Sequence, residues 1–153
     1  VAGKYTNTNR STFAADVEAW VRESEEVMLN VMRASISDAV EMSQKPRDQG
    51  GKMPVDTGFL RSSGLGSLNG WPSGPDERPG DGPFAWDGES VTTTLANMDI
   101  GDTFYFGWTA VYALRQETYN GFMESTQQHW QNIVWTNVGK LISGQSQGYN
   151  PNM

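Results

Sequence analysis

The chain has 153 residues, 37% of them hydrophobic, and six Trp with six Phe supply large units for burial. That is enough for one domain around one core and argues against global disorder. Its formal net charge is −7, with 18 acidic and 11 scattered basic residues, so a clustered cationic surface for gripping a phosphate backbone is not expected. There is no cysteine, which removes disulfides, thiolate metal sites and Cys nucleophiles.

Residues 1–7 hold no apolar run, so no signal peptide is expected. No stretch reaches the roughly 20 apolar residues of a membrane span, and no membrane partner is expected. Residues 11–45 read as a long amphipathic helix. Phe13, Val17, Trp20, Val21, Val27, Met28, Val31, Met32, Ile36, Ala39 and Val40 recur mainly at steps of three and four, with Glu18, Arg22, Glu25, Glu26, Arg33 and Glu41 mostly between them. Ser11 or Thr12 can cap its start, and Pro46 ends it. A helix of about 30 residues exceeds the usual globular length. Either a break near Ser35 or a projection across a subunit boundary is therefore expected.

Residues 54–63 form a compact turn motif, Pro54-Val55-Asp56-Thr57-Gly58-Phe59-Leu60-Arg61-Ser62-Ser63. Asp56 or Thr57 can cap a short helical turn, with Leu60 pointing inward and Arg61 outward. Residues 64–88 are rich in Gly and Pro and read as one long loop. Within it Trp71, Phe84 and Trp86 must either fold back or dock on a neighbour. A polar loop needs anchoring to stay ordered, so they are expected at an intersubunit interface. The β-branched and aromatic stretch over 90–109 reads as a β-hairpin turning at Ile100-Gly101-Asp102. Residues 121–142 read as a closing helix whose apolar face carries Phe122, Thr126, Trp130, Ile133, Val134, Val138, Leu141 and Ile142. Residues 144–153 read as a polar tail. The expected fold class is α+β in a single domain: a long N-terminal amphipathic helix, a small antiparallel sheet with a long Gly/Pro-rich loop, and a closing C-terminal helix.

Candidates for chemistry are few. Asp56-Thr57-Gly58 matches the Asp-Thr-Gly of retroviral-type aspartic proteases. That fold is nearly all β, however, and here Phe59 follows the glycine between helical flanks. His129 is the only histidine, with no second His or Cys to complete a zinc site. No nucleophile elbow appears. Asp76, Glu77, Asp81 and Asp87 lack the EF-hand spacing. No catalytic residue, metal or cofactor is expected. A small hydrolase and an aromatic-rich glycan-binding module are the competing readings.

One combination is specific. The stretch Pro-Val-Asp-Thr-Gly-x-Leu-Arg-x-Ser at 54–63, with a Tyr112-Ala113 pair shortly before Glu117, resembles the neck or tail-completion (minor tail component) family of long-tailed bacteriophages. The resemblance runs from about Thr12 to Ile142. It implies that Pro54, Val55, Asp56, Thr57, Gly58, Leu60, Arg61, Ser63, Tyr112, Ala113 and Glu117 form a structural motif. It also implies a non-enzymatic virion subunit in a ring at the head–tail neck, hexameric or alternatively dodecameric, assembled in the host cytoplasm. Its partners would be other neck or connector proteins and the tail tube protein, and DNA would pass through without specific binding. Another virion position, such as a head-surface or baseplate protein, is the alternative.

Overall fold

The computed structural model describes the backbone of residues 8–144 and the side chains of residues 12–144. Among them the fold is α+β, with five α-helices and a two-stranded antiparallel sheet. In chain order these are α1 (Thr8–Gln44), a 3₁₀ turn (Arg47–Gln49), α2 (Phe59–Ser62), β1 (Gly64–Leu68), α3 (Glu89–Asn97), β2 (Phe104–Trp108), α4 (Ala113–Asn120) and α5 (Phe122–Ile142). The expected tail lies outside the described residues beyond Gly144, as does the Ser11 side chain. No helix among the described residues is long and apolar enough to cross a membrane.

α1 is one helix of 37 residues, about 55 Å long at about 1.5 Å per residue, with no break at Ser35. Its last turns are covered. Ile36 and Val40 are buried with Val91, Leu95 and Met98, and Leu29, Trp86, Phe104, Phe106 and Trp130 pack around them. α5 runs antiparallel along it: Met123, Thr126 and Trp130 face Ile36 to Ser43, while Val134, Val138 and Leu141 face Val27 to Met32. Between these apolar layers Asn137 is buried and donates Nδ2 to Asp38 Oδ2 (2.9 Å), Ser35 Oγ (3.3 Å) and the Ile133 carbonyl (3.2 Å). A buried amide is tolerated only when partnered in this way. The α5 face follows the sequence expectation except at Ile142, which is exposed.

The expected hairpin over 90–109 does not form. Residues 89–97 are helical because Val91 and Leu95, one turn apart, both bury against the sheet and α1. Burial of that pair overrides the strand preference of the threonines. The threonines settle by turning their hydroxyls to carbonyls one turn back, Thr92 to Gly88 (3.2 Å) and Thr94 to Ser90 (2.6 Å). The turn at 99–102 therefore joins a helix to β2. The partner of β2 is β1, in the register Gly64↔Trp108 to Leu68↔Phe104, so the expected loop over 64–88 begins with a strand. Gly66 is the reason a glycine-rich segment serves there. A Cβ at that position would lie 3.0 Å from the Phe104 ring and 3.4 Å from the Val91 backbone, a close approach of helix, strand and ring that glycine permits. Residues 69–88 hold neither helix nor strand.

Candidate functional site

The motif at 54–63 sits where α1 ends. Pro46 and Met53 form a parallel bridge, and Met53 donates its amide to the Lys45 carbonyl (3.0 Å). Met53 is fully buried with Phe59, Leu60, Ala110 and Phe122, and Phe84, Trp108 and Ala113 pack against this second core. Pro54 is half-buried; Val55 and Asp56 are exposed.

Asp56 makes no hydrogen bond among the described residues, so its expected capping role is corrected. α2 is capped by Gly58, in the left-handed region at φ 87, with no side-chain cap bond. Thr57 contributes more modestly. Its Oγ1 accepts from the Phe59 amide at 3.4 Å, and its carbonyl accepts from the Phe84 amide at 2.8 Å. The second contact explains the glycine, because a Cβ at Gly58 would collide with the Phe84 carbonyl oxygen. Leu60 points inward as expected. Arg61 does not point outward: its Nε donates to the Gln44 carbonyl (2.8 Å) and its guanidinium lies 5.4 Å from the Trp86 ring centre. Gln44, buried, returns a bond from Nε2 to the Arg61 carbonyl (2.8 Å) and accepts from Trp108 Nε1 at Oε1 (2.8 Å). The last residue of α1 is thus clamped to α2 and β2 at once.

Ser63 continues the stitching. Its carbonyl accepts from the Thr109 amide (3.2 Å) and its Oγ from the Ala110 amide (3.2 Å). This brings the second part of the motif alongside the first. The Tyr112 ring lies 6.4 Å from Phe59, and Ala113 packs into the same core. Glu117 reaches across Gly121 to α5, where Oε2 accepts from the Met123 amide (2.9 Å) and Oε1 from the Glu124 amide (2.8 Å). Two amides that a helix start leaves without partners are satisfied by one carboxylate, placed where the helix dipole favours negative charge. Phe122 beside them is buried with its ring 4.7 Å from Trp108. Between the two parts of the motif a cleft of about 300 Å³ opens, with Asp56, Thr57, Arg78, Tyr112 and Gln116 on its walls.

The proposed interface aromatics divide. Phe84 packs edge-on against Phe59 (5.5 Å). Trp86 is half-buried and donates Nε1 to the Gly64 carbonyl (3.2 Å). Both therefore fold back on their own subunit. Pro75 and Asp76 also tie the segment down, through bonds from Thr109 Oγ1 (2.6 Å) and the Val111 amide (2.9 Å). Trp71 alone of the three stays out, 78% exposed with its edge on Tyr105.

Other candidates for chemistry stand apart. His129 is exposed on α5, its Nδ1 2.7 Å from the Ser125 carbonyl oxygen. No group of three or more acidic or histidine side chains among the described residues is placed to hold a metal ion. No family model, curated protein or solved structure matches the chain.

Sequence reasoning passed over α4 altogether. Its Ala113, Gln116, Glu117 and Asn120 face the protein, while Leu114, Arg115, Thr118 and Tyr119 are exposed. Leu114 and Tyr119 are five positions apart, which is not a helical spacing, so no apolar period marks this helix in the sequence.

Proposed function

We propose that this chain is a structural, non-enzymatic subunit of a tailed-bacteriophage virion, forming a ring of six copies, or alternatively twelve, at the head–tail neck around the DNA channel. The observation that carries the reading is the junction at the end of α1. The motif residues that prompted the resemblance act there as fasteners: Gly58, Leu60, Arg61, Ser63 and Glu117 hold α1, β2, α4 and α5 together. Side chains occupied in this way are suited to fixing the angle between elements. The long bare stretch of α1 also favours a protein completed by neighbours.

In this reading the ring adjoins other neck or connector proteins and the tail tube protein. Its lumen is lined by acidic or neutral side chains, because cationic contacts repeated around a ring would retain the duplex through counterion release. The test is mass spectrometry of purified virions with a copy-number count, followed by localisation in the particle. Six or twelve copies at the neck support the proposal; a chain absent from virions, or placed on the head surface or baseplate, overturns it. A low-salt titration of assembled rings with duplex DNA should show no tight, strongly salt-dependent binding.

A further inference from the structure

The exposed arm of α1, from Thr12 to Glu23, presents an apolar stripe with nothing beside it that selects a cover. The sheet presents a more specific surface, because its two outer edges are finished differently. Along the ladder the Thr109 amide donates to the Ser63 carbonyl (3.2 Å) and the Asn69 amide to the Thr103 carbonyl (2.8 Å). In this register the hydrogen-bonded pairs alternate, so Leu65↔Gly107 and Ser67↔Tyr105 are the bonded ones between them. The backbone groups of Gly64, Gly66 and Leu68 therefore point away from β2, and those of Phe104, Phe106 and Trp108 point away from β1.

On the β1 side the outward groups are answered. Ser90 Oγ accepts from the Gly66 amide, Thr94 Oγ1 donates to the Gly66 carbonyl and Trp86 Nε1 donates to the Gly64 carbonyl, each at 3.2 Å. On the β2 side no described residue bonds to the outward amides and carbonyls of Phe104 and Phe106. A row of this kind is a template for another strand, and folds ordinarily blunt it with charge, proline or a bulge. β2, Phe-Tyr-Phe-Gly-Trp, has no charge and no proline, and its register is unbroken.

The surroundings of the edge define what fits it. A groove of about 180 Å³ runs between α1, β2 and α5, lined by Ile36, Val40, Phe104, Phe106, Met123 and Trp130 among others. A strand laid on β2 would turn alternate side chains to the face that carries Phe104 and Phe106, and so into this apolar groove. The groove also argues against a second β2. Pairing of two copies through this edge about a twofold axis would bring their α5 helices onto one another, because α5 borders the edge in each.

We propose that the free edge of β2 receives one extended strand of a partner protein, with aliphatic side chains at alternate positions seated in the groove. Main-chain bonds to Phe104 and Phe106 supply affinity, and the groove supplies the choice of side chain. The contact stands independently of the neck reading.

The test uses the full chain and the peptide acetyl-Lys-Thr-Val-Thr-Val-Thr-Lys-amide, whose valines repeat at the spacing of Phe104 and Phe106. Residue-resolved hydrogen exchange of the free monomer should find the Phe104 and Phe106 amides fast and those of Tyr105 and Gly107 slow. Peptide at about 1 mM should slow the first two by roughly tenfold or more. Two N-methylated peptides, one blocked at the valine amides and one at the threonine amides, should then separate. One binds like the parent and the other roughly tenfold or more weakly, since only alternate amides face β2. Met123→Glu, at a residue 43% exposed beside the groove, should weaken the parent peptide by a similar factor while leaving the circular-dichroism spectrum unchanged. Phe104 and Phe106 amides already as slow as that of Tyr105 in the free monomer, no slowing by the peptide, or equal effects of the two methylation patterns would overturn the proposal. Slowing that appears without peptide as the chain is concentrated would make a second copy the occupant, and would overturn it too.

Discussion

From Ser35 to Gln44, α1 is walled in by α3, α5, β2 and the 54–63 motif; from Thr12 to Glu23 the same helix touches water on all sides. The apolar period is similar in both halves, so periodicity announces that a face will be covered without saying by what. In the covered half the cover is α5, whose length runs out near Val27. The difference between the halves is thus one of partner length, and the bare half is a surface that the described residues do not cover.

The comparison is broken most sharply by paired truncations. Phe122→Ala empties a fully enclosed site against Trp108 and should lower unfolding free energy by about 3–5 kcal/mol. Trp20→Ala on the arm should shift the monomer by no more than about 0.5 kcal/mol. Urea unfolding at a concentration where the chain is monomeric measures both, and similar losses would mean that the arm is packed within its own subunit. Next in size is Gly58→Ala. A left-handed backbone and the Phe84 carbonyl both oppose a Cβ there, so a loss of about 1–3 kcal/mol is expected, seen as a lower urea midpoint with an unchanged slope.

Glu117→Gln tests how firmly the covered end is capped. Glutamine has one acceptor oxygen for two amides and no charge at the α5 start, so about 0.5–2 kcal/mol should be lost. Hydrogen exchange at the Met123 and Glu124 amides should rise with it; unchanged exchange would remove Glu117 from the capping role.

The smallest effect belongs to Asp102, at the far end of the sheet. The side-chain hydrogen bond from Asn69, and then the Asp99 amide, hold its carboxyl below the ordinary 3.8. A folded value below the unfolded one means that its contribution is complete above about 3.8 and fades as pH falls through the lower folded value. Melting temperatures of wild type and Asp102→Asn should therefore differ slightly above the ordinary 3.8 and converge as pH falls below it. A gap that widens on acidification would contradict the sign.

The helices that hold the ends were legible because their apolar residues repeat at three and four and Pro46 stops the first. The middle was not. Val91 and Leu95 sit one turn apart among threonines, and the local preference points to strand until Ile36 and Phe104 supply the other side of the core. Gly64 and Gly66 look like loop because what makes them a strand is the tight approach of Gln44, Phe104 and Phe106 from distant sequence. In the motif the residues were found but their duties were not. Of Asp56 and Thr57, only Thr57 reaches the start of α2, and Gly58 is its cap residue, without a side-chain bond. Arg61 turns inward because its acceptor, the Gln44 carbonyl, becomes available where α1 stops. Glu117 entered through resemblance, and its use is defined by the start of a helix beyond a glycine corner.

The bond from Asn137 to Ser35 spans 102 positions, and that distance has a meaning in time. α1 is synthesised before the other described elements, yet the layer that covers its second half is the last described helix to be made. Throughout translation its apolar stripe waits without its final neighbour. Pairing so remote in sequence is also slow to find, since a large loop must close before any contact rewards it. The five acids spread from Asp16 to Glu26 are well placed for that interval, since like charge keeps newly made helices apart until α5 arrives.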